Sequence, residues 1–303
     1  MTDRRFRQPL PLGGEDGLPF SKGLMARSLV AAGLTADRAY ELALALEADL
    51  AKSDRQTVSL ERLEQLAHES LGPEAGTVAM RRLRRYQDLY DLDLPIILLL
   101  GGGTGTGKSS VATDVAYRLG ITRVTSTDFV RQTMRAFFSR EFMPAIHYSS
   151  FEAGRTMAQE EDDPGKAVVD GFLEQTRDVL VGVAASIDRA LQEGWSMVLE
   201  GVHLVPGMLP PIENALVVQC VLAINDTEAH ASHFWIRDND SEGMRPYEKY
   251  LECFDDIRLV QEYILGRAER HEVPVIQNAN IEETVVEVME LVLNAAEPLQ
   301  VTG

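Results

Sequence analysis

Cysteine, long apolar runs and positive charge are all scarce in this chain of 303 residues. Its two cysteines, Cys220 and Cys253, stand far apart and without metal-ligand spacing. That argues against a disulfide framework and fits a reducing cytoplasm. The longest apolar runs fall well short of the roughly 20 residues needed to cross a bilayer. The N-terminal MTDRRFRQPLPLGG is basic but lacks the apolar centre of a secretory signal. Lysine and arginine together number 29 against 47 aspartates and glutamates, a net charge of −18. Such a surface repels nucleic acid and anionic membranes. The deficit is uneven: residues 1–95 carry 13 basic and 15 acidic side chains, and the remainder 16 and 32. An anionic substrate must therefore be held by a few local arginines against an unfavourable overall field. The six histidines show no zinc-like spacing.

What is present falls into two patterns. Residues 20 to about 90 read as helices only. Ser21 caps the first, which stops at Gly33; Thr35 caps a second with Ala39, Leu42, Leu46 and Leu50 on one stripe; Ser59 caps a third, ending at Gly72; MRRLRRYQDLY lies in a fourth. The preceding RRFRQPLPLGGEDGLPF is expected to form a small hairpin. From residue 95 strand and helix patterns alternate. Strands are expected at 95–100, 122–128, 195–201, 215–224 and 273–278. Helices are expected at 109–119, 129–138, 149–160, 167–193, 226–237, 247–270 and 281–295. This alternation predicts an α/β domain, a five-stranded parallel sheet with helices on both faces, preceded by a small helical domain; the strand order expected is 2-3-1-4-5. The boundary falls at DLDLP, giving domains 1–91 and 92–303.

After the first strand the chain reads Gly102-Gly103-Thr104-Gly105-Thr106-Gly107-Lys108-Ser109-Ser110, a full match to G-x-x-x-x-G-K-[ST]. Glycines let successive backbone N–H groups turn inward on phosphates, and the helix that follows adds its positive end. Lys108 reaches the β and γ phosphates, and the Ser109 hydroxyl can ligate Mg²⁺. The motif follows a strand and opens a helix, the context that separates it from a chance glycine-rich turn. ATP and Mg²⁺ are the expected cofactors. No N-K-x-D base-reading loop of a switch GTPase is present.

Carboxylates end the second and third strands, Asp128 and Glu200, where ligands meet an open α/β sheet. Asp128 can orient or deprotonate a substrate hydroxyl and Glu200 can support a metal; each could instead cap a following helix. Arg131 and Arg135, one turn apart after Asp128, are candidates for an acceptor's phosphate or carboxylate, with ion pairing inside an acidic protein as the plainer alternative. Arg237 and Arg245 flank the polar stretch DNDSEG, as arginines on a closing flap would. His203, just after Glu200-Gly201, is a candidate substrate contact; a lone histidine is more often a structural hydrogen-bonder. RRLRR at 81–85 reads as a solvated helix face.

Several of these segments resemble the 2-phosphoglycerate kinase family. PFSKGLMARSLVAAGL, IILLLGGGTGTGKSSVA, LGITRVTSTDFVRQTMR, VLEGVHLVPG, RPYEKYLECFDDIRLVQEYI and VPVIQN follow one another in that family's order, covering about residues 18 to 290. The resemblance implies phosphate transfer from ATP to the 3-hydroxyl of 2-phospho-D-glycerate. It also implies that the N-terminal helices form an ATP-cone-like module. The residues themselves leave open a kinase of another small phosphorylated or carboxylated metabolite, a nucleotide-sugar kinase, and an ATP-sensing regulator that transfers nothing. They give no sign of oligomeric state, and a homo-oligomer is compatible with them.

Overall fold

The computed structural model describes residues 20–53, 57–92, 94–156, 163–240 and 247–300. The hairpin expected before residue 20 and Arg245 lie outside those residues, and of Arg237 only the helical backbone is described. The chain divides into two compact units: residues 1–93 with 117–120 and 293–303, and residues 94–116 with 121–292.

The first unit is built on four helices: α1 Lys22–Ala31, α2 Ala36–Ser53, α3 Leu60–Leu71 and α4 Pro73–Asp91. The Ser59 hydroxyl accepts from Arg62 N at 3.2 Å, satisfying one of the amides a helix start leaves open. Pro73, which has no N–H to lose, opens α4. The predicted stripe of α2 is buried: Ala39, Leu42, Leu46 and Leu50 join Met25, Leu29, Leu63, Met80 and Leu83 in one core. Arg84 and Arg85 of the RRLRR run pair with Glu64 at 2.7 Å and Glu297 at 2.9 Å.

The second unit holds a five-stranded parallel sheet, β1 Ile96–Gly102, β2 Val124–Ser126, β3 Met197–Glu200, β4 Leu216–Ala223 and β5 Val275–Gln277, in the order β2-β3-β1-β4-β5. The expected topology is thus what the chain adopts. β1 is central, pairing with both β3 and β4. Ile97 and Leu99 pack into a core with Val179, Val183 and Ile187 of α7 Pro164–Gln192. Leu98 and Leu100 point to the other face and are just as buried, which is why β1 reads as an unbroken apolar run.

The remaining helices are α5 Lys108–Arg118, α6 Thr127–Phe137, α8 Thr227–Asp240, α9 Tyr247–Glu252, α10 Phe254–Arg270 and α11 Ile281–Gln300. Two helix expectations are corrected. No helix begins at 149; the chain instead forms short 3₁₀ turns at Ala145–His147 and Ala153–Thr156. The Ser149 and Glu152 carbonyls accept from amides three residues on, and just upstream side chains intervene: Gln175 Nε2 donates to Ala145 O at 2.6 Å and Arg131 Nη1 to Tyr148 O at 2.7 Å. The backbone at Ala153 also lies so close to α7 that a Cβ at Gly171 would overlap it. The single helix expected over 247–270 is broken at Cys253 into α9 and α10. No described helix is long and apolar enough to cross a membrane.

Phe172 is fully buried and ties α7 to Val260 and Ile264 of α10. Phe172→Ala should cost about 3–5 kcal/mol, read as a drop in the midpoint of urea unfolding.

Candidate active site

Strand register gathers the site at one end of the sheet. Glu200, the last residue of β3, pairs with Leu100 of β1 on one side and Ser126 of β2 on the other. Just beyond those partners lie the Gly102–Ser109 loop and Asp128. The sequence-predicted phosphate loop, Ser109, Asp128 and Glu200 are thus brought to the same edge.

The loop is shaped by what takes its carbonyls. From α8, His230 Nε2 meets Thr104 O at 2.8 Å and His233 Nδ1 meets Gly105 O at 3.1 Å. From the end of β5, Asn278 Nδ2 donates to Thr106 O at 2.9 Å. With three successive carbonyls held from outside, the amides of the loop are turned the other way. Gly105 has a φ of 88°. A Cβ there would overlap the ring of Phe234, so only glycine fits. Phe234 is itself fully buried and stacked on Tyr250 at 4.9 Å between centroids. Burial and the nearby Arg258 and Lys108 hold His230 neutral, its pKa lowered to about 4 despite its bond to Thr104. Its Nε2 then carries the proton given to Thr104, and its Nδ1 faces Arg258 Nη1 at 3.5 Å.

Lys108, buried at the start of α5, turns its Nζ to Gly103 O at 2.6 Å. Ser109 Oγ donates to Glu200 Oε1 at 2.8 Å. A hydroxyl and a carboxylate side by side next to a phosphate loop are the hard oxygen donors that suit Mg²⁺, whose shell is completed by waters and phosphate oxygens. Among the described residues no group of three or more His, Cys, Asp or Glu could hold a metal alone.

Asp128 does not cap α6. Ser126 does so, its hydroxyl accepting from Phe129 N at 3.0 Å. The Asp128 side chain is accordingly exposed, and Arg131 Nε lies 3.2 Å from its Oδ1. Burial of its surroundings would raise its pKa. The charge of Arg131, its hydrogen bond to the carboxylate and the charge of Lys108 outweigh this and hold the carboxyl below its ordinary value. It is ionised at neutral pH, ready to accept a hydrogen bond from a hydroxyl.

The two arginines of α6 are not the matched pair expected from their spacing. Arg131 is only 7% exposed, and its Nη1 is committed to Ile146 O and Tyr148 O. Arg135 stands in solvent and donates to Gln132 Oε1 at 3.0 Å. His203 also needs correction as a substrate contact. It is fully buried, and both ring nitrogens are engaged, Nδ1 with Thr127 Oγ1 at 2.8 Å and Nε2 with Gln175 Oε1 at 2.9 Å. It is linked to the start of α6 through Thr127, next to Asp128. Gln175, Thr127, His230, His233 and Asn278 escaped sequence reasoning. The one available signal was position: Asn278 ends a strand beside the loop, and His230 and His233 share one helix face.

Sheet order, phosphate loop and strand-end carboxylates define a P-loop phosphotransferase fold. Against known proteins, the chain is 35% identical over 275 residues to the 2-phosphoglycerate kinase of Methanopyrus kandleri, covering 90% of this chain and 83% of that one. It is 34% identical over 278 residues to that of Pyrococcus horikoshii, covering 92% and 91%. To that of Methanothermobacter thermautotrophicus it is 37% identical over 269 residues, covering 88% of each. The chain belongs to the 2-phosphoglycerate kinase family. No family model matches it. Among solved structures a gluconokinase from Sinorhizobium meliloti 1021 aligns with 69% of this chain and 98% of its own, at 16% identity and a TM-score of 0.38.

Removing one outside brace should loosen the loop without touching the acceptor side. Asn278→Ala or His230→Ala is expected to weaken Mg·ATP binding about tenfold, the worth of one buried hydrogen bond. Calorimetric titration with nucleotide alone checks this.

Proposed function

We propose that the chain transfers the γ-phosphoryl group of ATP to the 3-hydroxyl of 2-phospho-D-glycerate, giving 2,3-bisphosphoglycerate and ADP. Similarity to 2-phosphoglycerate kinases over about nine-tenths of the chain carries this reading. The arrangement of Lys108, Ser109, Glu200 and Asp128 at one sheet edge supports it.

In this reading the loop amides and Lys108 hold the β and γ phosphates. Ser109 and Glu200 would hold Mg²⁺, which would supply positive charge against the phosphate oxygens. The acceptor oxygen bonds to the γ-phosphorus as the bond to the β–γ bridging oxygen breaks, and the hydroxyl proton passes to Asp128. With its pKa held low, Asp128 orients the hydroxyl more than it pulls the proton. That suffices for a loose transition state in which the nucleophile needs little activation. Arg131, whose Nη1 and Nε are committed within the protein, is assigned the acceptor's negative groups through Nη2, and the exposed Arg135 a second positive charge. Arg237 and Arg245 are assigned the closing contacts over the phosphoryl group on their sequence placement alone. The first unit, with its compact helical core, is assigned as the ATP-cone-like module.

The test is incubation with Mg·ATP and, separately, 2-phosphoglycerate, 3-phosphoglycerate, glycerate and no acceptor, with the products identified. ADP and 2,3-bisphosphoglycerate should appear with the 2-isomer alone. Transfer to another acceptor, or none to any, overturns the assignment. Lys108→Ala should abolish turnover and weaken nucleotide binding. Glu200→Gln should raise the Mg²⁺ concentration needed for half-maximal rate, measured by titrating Mg²⁺ at fixed ATP.

A further inference from the structure

The buried groups behind Asp128 close a ring. Arg131 Nε approaches Asp128 Oδ1 at 3.2 Å, and Arg131 Nη1 donates to Tyr148 O at 2.7 Å. Gln175 Nε2 donates to the same Tyr148 O at 3.1 Å and to Ala145 O at 2.6 Å. Gln175 Oε1 meets His203 Nε2, and His203 Nδ1 meets Thr127 Oγ1. Thr127 precedes Asp128 in the first turn of α6, so the peptide bond completes the circuit. Gln175, His203 and Thr127 are all fully buried.

Every link has a forced direction. The Gln175 amide nitrogen gives its protons to two carbonyls, so its oxygen can only accept. His203 Nε2 must then carry a proton and donate it to that oxygen. A neutral ring leaves Nδ1 as an acceptor, so the Thr127 hydroxyl donates to it. Burial, with Arg131 and Lys108, lowers the His203 pKa to about 4 in spite of Asp128, in keeping with a neutral ring. The circuit also explains the residue after Glu200. Gly201 has a φ of 151°, and a Cβ there would overlap the Thr127 hydroxyl.

We propose that His203, Thr127 and Gln175 are positioning residues that set the place of Asp128 against the phosphate loop, and the place of Arg131 beside it. None of the three touches a reactant. They fix the start of α6 from behind, and so decide where the Asp128 carboxylate meets the acceptor hydroxyl. This inference rests on the role given to Asp128 above.

The His203–Thr127 link bears on Asp128 more directly than the His203–Gln175 link, and two substitutions separate them. Asparagine at 203 can still place an acceptor near the Nδ1 position; glutamine can place a donor near the Nε2 position. The test is steady-state kinetics with Mg·ATP and 2-phosphoglycerate on Thr127→Val, Thr127→Ser, His203→Asn, His203→Gln and Asp128→Asn, with nucleotide affinity measured on each as a check of folding. Thr127→Val should lower kcat about ten- to hundredfold with the KM for ATP near wild type, since a shift of about an ångström at a reacting group costs that much. Thr127→Ser should recover most of the loss, and His203→Asn should keep more kcat than His203→Gln. A purely structural role predicts a different result: lower melting temperatures, with kcat per folded molecule unchanged. Wild-type kcat in Thr127→Val and His203→Gln, with Asp128→Asn inactive, overturns the positioning role alone. Wild-type kcat in Asp128→Asn removes the Asp128 role and the inference with it.

Discussion

Everything at this site depends on the outward pull on three consecutive carbonyls, those of Thr104, Gly105 and Thr106. A peptide cannot turn its C=O one way without turning its N–H the other. Holding the carbonyls from α8 and from the end of β5 therefore presents the amides to phosphate before nucleotide arrives. Such groups need no reorganisation at the moment of transfer, which is where fixed dipoles outperform water. The buried brace His230 works as a neutral donor, because a cationic imidazole in its place would carry a heavy desolvation cost. Burial meets that condition at His230.

The sheet supplies the second constraint. Parallel pairing sends every strand's carboxyl end to one edge, so the loop after β1, the helix after β2 and the last residue of β3 meet there without any device of their own. The phosphate loop and Asp128 thus stand at the same edge, on either side of Glu200. In a unit with so much negative charge, two of the candidate cations are buried. Lys108 and Arg131 are each under 10% exposed, which shields their field from solvent and keeps it aimed at the site.

The fold was legible in the sequence to a large extent, for identifiable reasons. β1 is buried on both faces and so has no polar alternation. Ser59, Gly72 and Pro73 mark helix ends by local chemistry. The Gly102–Ser109 spacing encodes a backbone shape directly. The segment 145–156 defeated local reasoning because Gln175 and Arg131, side chains from two other elements, take the carbonyls of Ala145, Ile146 and Tyr148 at its start. The pairing of Arg131 with Arg135 misled for a related cause. Helical spacing says that two residues share a face, but not that one is buried under a neighbouring segment while the other meets water.

The sequence by itself determined the alternation of strands and helices, the phosphate loop and the identity of Asp128 and Glu200 beside it, because each follows from periodicity or a contiguous motif. Only the tertiary structure decided which side chains hold those groups in place. His203, Gln175, His230 and Asn278 act on partners between 28 and 172 residues away in the chain. Hydrogen bonds over such separations leave no local pattern; they exist only once the sheet has brought their ends together.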